Sequence, residues 1–180
     1  MRDDALSVIV CGASAAQSLT GYLARLRQEV DLPLRLLLTH NAERFLQPDA
    51  VAFYADETYL SGAADLNPTE FARRSRALVV LPATANMLAC AALGLAGTPA
   101  QTVLLAAEQP AIFFPSMNGV MWGKRSTQRH VSTLRADGHA VVDPQEREVF
   151  EVWSRRVIVG PSLPPPQTVA KIVKDWVDHG

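Results

Sequence analysis

Cysteine is almost absent: Cys11 and Cys90 are the only two in 180 residues, and each lies inside an apolar run. That excludes a disulfide framework and fits a reducing cytosol. An excess of one charge is also missing, since 17 Lys and Arg face 18 Asp and Glu for a net charge of -1. No basic surplus is left to answer a phosphate backbone, so nucleic acid is not an expected partner. Long apolar runs are lacking as well. Charge disappears from Ala77 to Ala107, yet Pro82, Thr84, Asn86, Pro99 and Gln101 interrupt the stretch. A membrane span needs about 20 continuous apolar residues. Behind Met1-Arg2-Asp3-Asp4, the apolar stretch from Val8 to Cys11 is far shorter than the core of a signal peptide. The expectation is no membrane segment and a cytoplasmic location. Internal repeats are absent, and Pro164-Pro165-Pro166 is too short to link domains.

What is present suits one domain, because 180 residues lie near the usual size and 48% of them are hydrophobic. Only 19% are charged, against about 25% in typical globular chains, so some apolar surface is expected to be hidden in an oligomer. Leu6 to Cys11 reads as a strand that turns at Gly12-Ala13-Ser14 into a helix over Ala15 to Val30, where Leu19, Leu23, Leu26 and Val30 share a face. Leu34 to Thr39 is a second apolar strand, with Asn41 capping a short helix through Phe45 and Leu46. Pro48 to Pro68 reads as loop, and Thr69 to Ser75 as a short helix. Strands are expected at Ala77 to Leu81, Thr102 to Ala107, Ala111 to Phe114 and Ala140 to Val142, with helices at Asn86 to Leu95 and Ser126 to Ala136. Their hydrophobicity is continuous rather than alternating, which implies a parallel sheet covered on both faces. After Asp143, the runs Val149-Phe150-Glu151-Val152-Trp153 and Arg156-Val157-Ile158-Val159 suggest a hairpin or flap over about 145–163, followed by a final helix from Gln167 to Val177.

In open α/β sheets ligands bind beyond the carboxyl ends of the strands, and three segments fall there. In Gly12-Ala13-Ser14-Ala15-Ala16 the small residues let backbone amides and the Ser14 hydroxyl approach a phosphate, although plain strand-to-helix packing uses the same residues. The dinucleotide fingerprint G-x-G-x-x-G is absent. Thr39 and Asn41 can add polar contacts from the next strand end. In Pro82-Ala83-Thr84-Ala85-Asn86-Met87, polar atoms stand between a buried strand and an apolar helix, where a helix cap is the ordinary alternative. In Pro115-Ser116-Met117-Asn118-Gly119-Val120-Met121-Trp122, Asn118 is a neutral donor and acceptor suited to a carboxylate or a flavin, or else the start of a turn. His130, His139 and His179 show no metal spacing with either cysteine, so no metal is expected.

The second and third segments carry a family resemblance. Pro82 to Met87 resembles the P-A-S-A-N-T motif, and Pro115 to Trp122 matches P-x-M-N-x-x-M-W at every fixed position. Both motifs belong to the homo-oligomeric flavin-containing cysteine decarboxylases, which the chain resembles from about Leu6 to Val142. The resemblance implies a flavodoxin-like or Rossmann-like three-layer α/β sandwich that binds FMN at contacts between subunits of a trimer. It places Gly12, Ala13, Ser14, Thr39 and Asn41 on the phosphate and ribityl side with Phe45 nearby, and Pro82, Ala83, Thr84, Ala85 and Asn86 along the flavin ring. Met117, Asn118 and Met121 would face the substrate, with Met117 also against the cofactor and Asn118 holding the cysteine carboxylate. Trp122 is expected to pack.

One departure stands out. The family carries a catalytic histidine in an H-x-E-L-like stretch, and Pro68 of Asn67-Pro68-Thr69-Glu70-Phe71 occupies that position. Proline cannot act as a base. His40 is the nearest alternative, but reads as an exposed loop residue. Among branches of the family, the phosphopantothenoylcysteine decarboxylases carry an A-C-G-D-like cysteine motif toward the C-terminus, where this chain has no cysteine after Asp143. Flavin prenyltransferases lack the P-x-M-N-x-x-M-W motif. The best match is to the peptidyl-cysteine decarboxylases of lantibiotic-type maturation, whose flap over the peptide corresponds to the hairpin around Phe150. That branch implies oxidative, FMN-dependent decarboxylation of the C-terminal cysteine of a ribosomally made precursor peptide. The product is an aminoenethiol, which a cyclase partner would capture. Trimers, with a dodecamer as the larger assembly, are implied too; loss of the histidine leaves a non-catalytic flavin-binding partner as the other reading.

Overall fold

The computed structural model describes residues 4–152 and 154–179, so Trp153 of the expected hairpin and Met1-Arg2-Asp3 lie outside the described residues. The chain runs β1 (Ala5–Val10), α1 (Leu19–Glu29), β2 (Leu34–Leu38), α2 (Pro48–Ala52), β3 (Glu57–Leu60), α3 (Pro68–Arg73) and β4 (Ser75–Ala83). It continues through α4 (Ala85–Ala92), α5 (Pro99–Ala106), β5 (Ala111–Pro115), α6 (Gly119–Trp122), α7 (Arg125–Ala136) and β6 (Ala140–Val141). The hairpin β7 (Gln145–Glu151) and β8 (Arg156–Ser162) and the helix α8 (Pro166–His179) follow.

Six strands form one sheet in the order β3-β2-β1-β4-β5-β6, and every pairing in it is parallel. Parallel neighbours need crossover helices, which cover both faces. The period-2 alternation of strand side chains divides the core accordingly. Leu6, Val8 and Val10 of β1, with Val79 and Leu81 of β4, pack under α1 and α8. Ile9, Leu78, Val80 and Phe113 point the other way, against Phe71, Leu88, Val103, Val131 and Leu134 from α3, α4, α5 and α7. The expected three-layer α/β sandwich is what the chain adopts.

Four local expectations need correction. Thr102 to Ala107, expected as a strand, is the second half of α5: Thr98 Oγ1 accepts from the Gln101 N–H at 3.4 Å, Pro99 opens the helix, and Ala100, Val103 and Leu104 are buried at helical spacing. The sixth strand is instead β3, a short edge strand within the stretch read as loop, whose residues are all only half-buried. The helix expected from Ala15 starts as a 3-10 turn over Ser14–Ser18 and becomes α-helical at Leu19. Asn41 makes no side-chain cap, and the helix after it is a single 3-10 turn. Thr98→Ala should remove about 1 kcal/mol and lower the thermal midpoint by about 2–4 °C. An unchanged midpoint in calorimetry would show that the cap does not hold α5.

Candidate functional site

The strand order reverses direction between β1 and β4, which places the loops leaving β2, β1, β4 and β5 side by side at one end of the sheet. Backbone bonds hold these loops in register. The Cys11 N–H donates to Pro82 O at 3.2 Å, Thr39 N–H to Val10 O at 3.0 Å, and Ser116 N–H to Ala83 O at 2.8 Å. Gly12 fits so tightly against the β2 loop that an added Cβ would stand 2.5 Å from the Asn41 Cβ and carbonyl oxygen. Only glycine allows that approach.

Gly12 and Ala13 are half-buried, Ser14 and Asn41 are exposed, and Ala13 provides no side-chain cap to the turn that Ser14 opens. The first amides of that turn are therefore open to a ligand. Thr39 is already engaged, because its hydroxyl donates to Val10 O at 2.9 Å and so closes the strand end. Phe45 is half-buried against the cluster under α1 and α8. Along the next loop, Pro82 and Ala83 are buried and act through backbone and packing, whereas Thr84 and Ala85 are half-buried and Asn86 is exposed. Thr84 caps α4 by accepting from the Met87 N–H at 3.3 Å, and Asn86 Oδ1 accepts from the Cys90 thiol at 3.8 Å.

Asn118 caps α6, its Oδ1 accepting from the Met121 N–H at 2.9 Å. The cap uses the acceptor and leaves the two amide N–H donors of an exposed side chain for a partner. Met117 is half-buried against the opposite cluster, with Trp122 packing beside it as expected; Met121 is 42% exposed and Val120 is 72% exposed. An added Cβ on Gly119 would meet Pro161 Cδ at 3.5 Å, so the base of the hairpin leans on the Asn118 loop. Phe150, by contrast, pairs with Val157 near the far end of that hairpin. It stands about 13 Å along the ribbon from Pro161, so the single chain does not bring Phe150 to Asn118. Pro68 is the first residue of α3, and Asn67 Oδ1 accepts from Thr69 Oγ1 at 2.8 Å and from the Glu70 N–H at 3.2 Å. Asn67 is thus a helix cap, and neither it nor Pro68 offers a base.

Cys11, next to these loops, is no nucleophile: burial pushes its thiol up to about 12, while the backbone and hydroxyl of Thr84 pull weakly the other way. A cavity of about 340 Å³ lies at the opposite end of the sheet, lined by Leu104, Pro110 and His139 among others. There His139 Nδ1 accepts from the Ala111 N–H at 2.9 Å, which fixes the ring neutral with its proton on Nε2. Burial holds its pKa below the usual value, partly offset by Asp137. The unfolded chain therefore takes up a proton that the fold resists. Stability should be full above about pH 6.5 and decline as pH falls from there toward the lower folded value. His139→Ala should lose this part of the pH slope in thermal melts; an unchanged slope would assign it elsewhere. Among the described residues, no group of three or more metal-ligating side chains is found and no helix is long and apolar enough to cross a membrane.

Two features escaped sequence reasoning. Pro161 beside Gly119 is a contact across 42 residues with no local signal. Arg35, wholly buried in β2, did leave one: a lone charge inside the apolar run Leu34-Arg35-Leu36.

The profile of the family described as Flavoprotein matches residues 1–177. Mersacidin decarboxylase of Bacillus sp. (strain HIL-Y85/54728) is 30% identical over 155 residues, covering 84% of this chain and 79% of that protein. Epidermin decarboxylase of Staphylococcus epidermidis is 25% identical over 170 residues, covering 92% and 93%. The crystal structure of SpaF, described as an FMN-dependent cysteine decarboxylase, superposes with a TM-score of 0.82 at 30% identity over 98% of each chain.

Proposed function

We propose, from the premise that the chain belongs to the flavoprotein family, that it is an FMN-dependent peptidyl-cysteine decarboxylase acting on the C-terminal cysteine of a ribosomally made precursor peptide. One observation carries the proposal: the segment Pro115 to Trp122 leaves β5, one strand beyond the β1/β4 switch and at the same end of the sheet, with the donor side of Asn118 free, beside a hairpin able to cover a peptide. The mersacidin and epidermin decarboxylases and SpaF support the same reading by likeness.

The residues present fit FMN. A mononucleotide needs one phosphate site and one flat wall, and this chain supplies an uncapped turn at Ser14 behind Gly12 and a wall of small residues at Thr84 and Ala85. When bound, FMN supplies the two-electron oxidation of the cysteine that eases loss of its carboxylate. Ser14 and the amides after Ala13 would hold the phosphate, and Asn86 would border the ring. The two N–H donors of Asn118 would hold the substrate carboxylate by a neutral contact. A lysine or arginine there would stabilise the ground-state anion and resist its departure as CO2. Met117 and Met121 give that carboxylate an apolar border. With proline at position 68 and Asn67 spent as a cap, the chain offers no base there; the substrate thiol, at its ordinary pKa near 8.5, would lose its proton to solvent.

We further infer a homo-oligomer built on trimers, with a dodecamer as the larger form, since the loop ends are exposed and Val120 and Met121 stand in solvent beside them. Phe150 would reach the substrate within that assembly. The product, an aminoenethiol, is a nucleophile for a cyclase partner. The test is mass spectrometry of cysteine-terminated peptides incubated with the FMN-loaded protein. Loss of CO2 and two hydrogens is expected. Bound FMN with no such loss on any cysteine-terminated peptide would favour a non-catalytic flavin-binding partner, and a protein that takes up no FMN would overturn the reading entirely.

A further inference from the structure

Away from the loop ends, β2 carries a charge in the core. Arg35 is 1% exposed and faces the layer that holds α3. Its Nη2 donates to Ser7 Oγ and Phe71 O at 2.9 Å and to Ser75 Oγ at 3.2 Å, and its guanidinium lies 4.4 Å over the Phe71 ring. All of these partners are neutral. Arg35 Nε and Nη1 are buried without a hydrogen-bond partner among the described residues, and so is Nε of the neighbouring Arg74. Arg74, 8% exposed, spends its other two nitrogens on Glu57, at 2.7 and 3.4 Å, and Tyr59 OH donates to the same carboxylate at 2.9 Å. Of the two buried guanidinium groups, Arg74 holds the carboxylate of Glu57, and Arg35 has none among the described residues.

Between them lies a small polar cavity of about 70 Å³, lined by Arg35, Tyr59, Asp65, Asn67, Glu70 and Arg74 together with two apolar residues. Asp65 and Glu70 are exposed at its rim, and neither forms an ion pair with Arg35 among the described residues. Asn67 has its carbonyl oxygen occupied by the α3 cap, which leaves its amide as a further donor. The unmet groups of the two arginines are all donors, and the guanidinium groups that bear them are positive. Water can satisfy an N–H but not a charge, and burying an unpaired cation is costly. The volume suits about one small ion and one water.

We propose that this cavity binds one small monovalent anion, a halide or a carboxylate-sized oxyanion, between Arg35 Nε and Nη1 and Arg74 Nε. The site is independent of the flavin reading. Its occupant joins β2 to α3 and to the connection at 61–67, and so steadies the chain just ahead of Pro68.

The test is thermal unfolding of the purified protein, with or without FMN, at constant ionic strength, with gluconate, too large for the cavity, replaced by chloride, bromide or formate. The midpoint should rise by about 2–4 °C and saturate, and the order of the three anions distinguishes halide from oxyanion. Arg35→Met should abolish the response. Because that variant can fail to fold, Arg74→Lys, which keeps a cation for Glu57 but removes Nε, provides a second arm and should shift saturation to roughly tenfold higher anion. Glu70→Gln should tighten binding by removing a negative neighbour. A bromide soak should place an anomalous peak beside Arg35. No response in the native protein, the same response in Arg74→Lys, or an anion response that appears only in Glu70→Gln would overturn the proposal; the last would make Glu70 the counter-ion.

Discussion

Asn118→Asp should leave the protein folded and yellow while cutting decarboxylation by at least about 100-fold, the scale on which one misplaced polar contact costs an oriented reaction. Aspartate keeps the oxygen that accepts from the Met121 N–H, so the α6 cap survives. It removes both amide donors and sets a negative charge against the substrate carboxylate. Asn118→Ala tests the same contact less cleanly, because it also deletes the cap, worth about 1 kcal/mol. Turnover by peptide mass spectrometry, beside flavin absorbance and a thermal melt, separates the roles. If Asn118→Asp decarboxylates at the native rate, Asn118 is a cap and nothing more.

Gly12→Ala should have the largest effect on the cofactor. The new methyl group would lie 2.5 Å from the Asn41 backbone oxygen and Cβ and 2.6 Å from its carbonyl carbon. Backbone cannot yield as a side-chain tip can, so the loops after β1 and β2 must part. Overpacking of this kind costs about 1–3 kcal/mol, a fall of several degrees in the thermal midpoint, and it displaces the turn at Ser14. FMN affinity should drop by at least about tenfold, read by titration of flavin fluorescence. Native affinity in Gly12→Ala would move the phosphate site away from this loop.

The layered architecture was legible because it rests on patterning: continuous apolar runs such as Ala77 to Leu81, flanked by helical segments, fit strands covered on both faces. The membership of the sheet was less legible. Thr102 to Ala107 looks like a strand by composition, and what makes it helical is the cap at Thr98 with Pro99 behind it, four residues upstream. Edge strand β3 mixes Glu57, Thr58, Tyr59 and Leu60, and nothing local distinguishes it from loop; it forms because β2 offers a free side at Leu34–Leu38. The loop residues of the candidate site stood out through small size and polarity. Their commitments did not: Thr39 to Val10 O, Asn67 to Glu70 N–H and Asn118 to Met121 N–H are caps and strand-end bonds that exist only once the elements form. The cation at Arg35 was visible in the sequence, but its neighbours come from Ser7, Phe71 and Ser75.

The two ends of the large sheet carry a consequence for crowded solution. One outer strand is four residues long and bears Glu57, and the other is the two-residue β6. Each presents few open backbone rungs, and at one end a carboxylate stands among them. Docking of another chain by strand addition is thereby disfavoured. In the homo-oligomer proposed above, subunit contacts through the loop faces and the projecting ribbon would leave these edges unused, and a closed ring of set copy number would follow rather than a fibre.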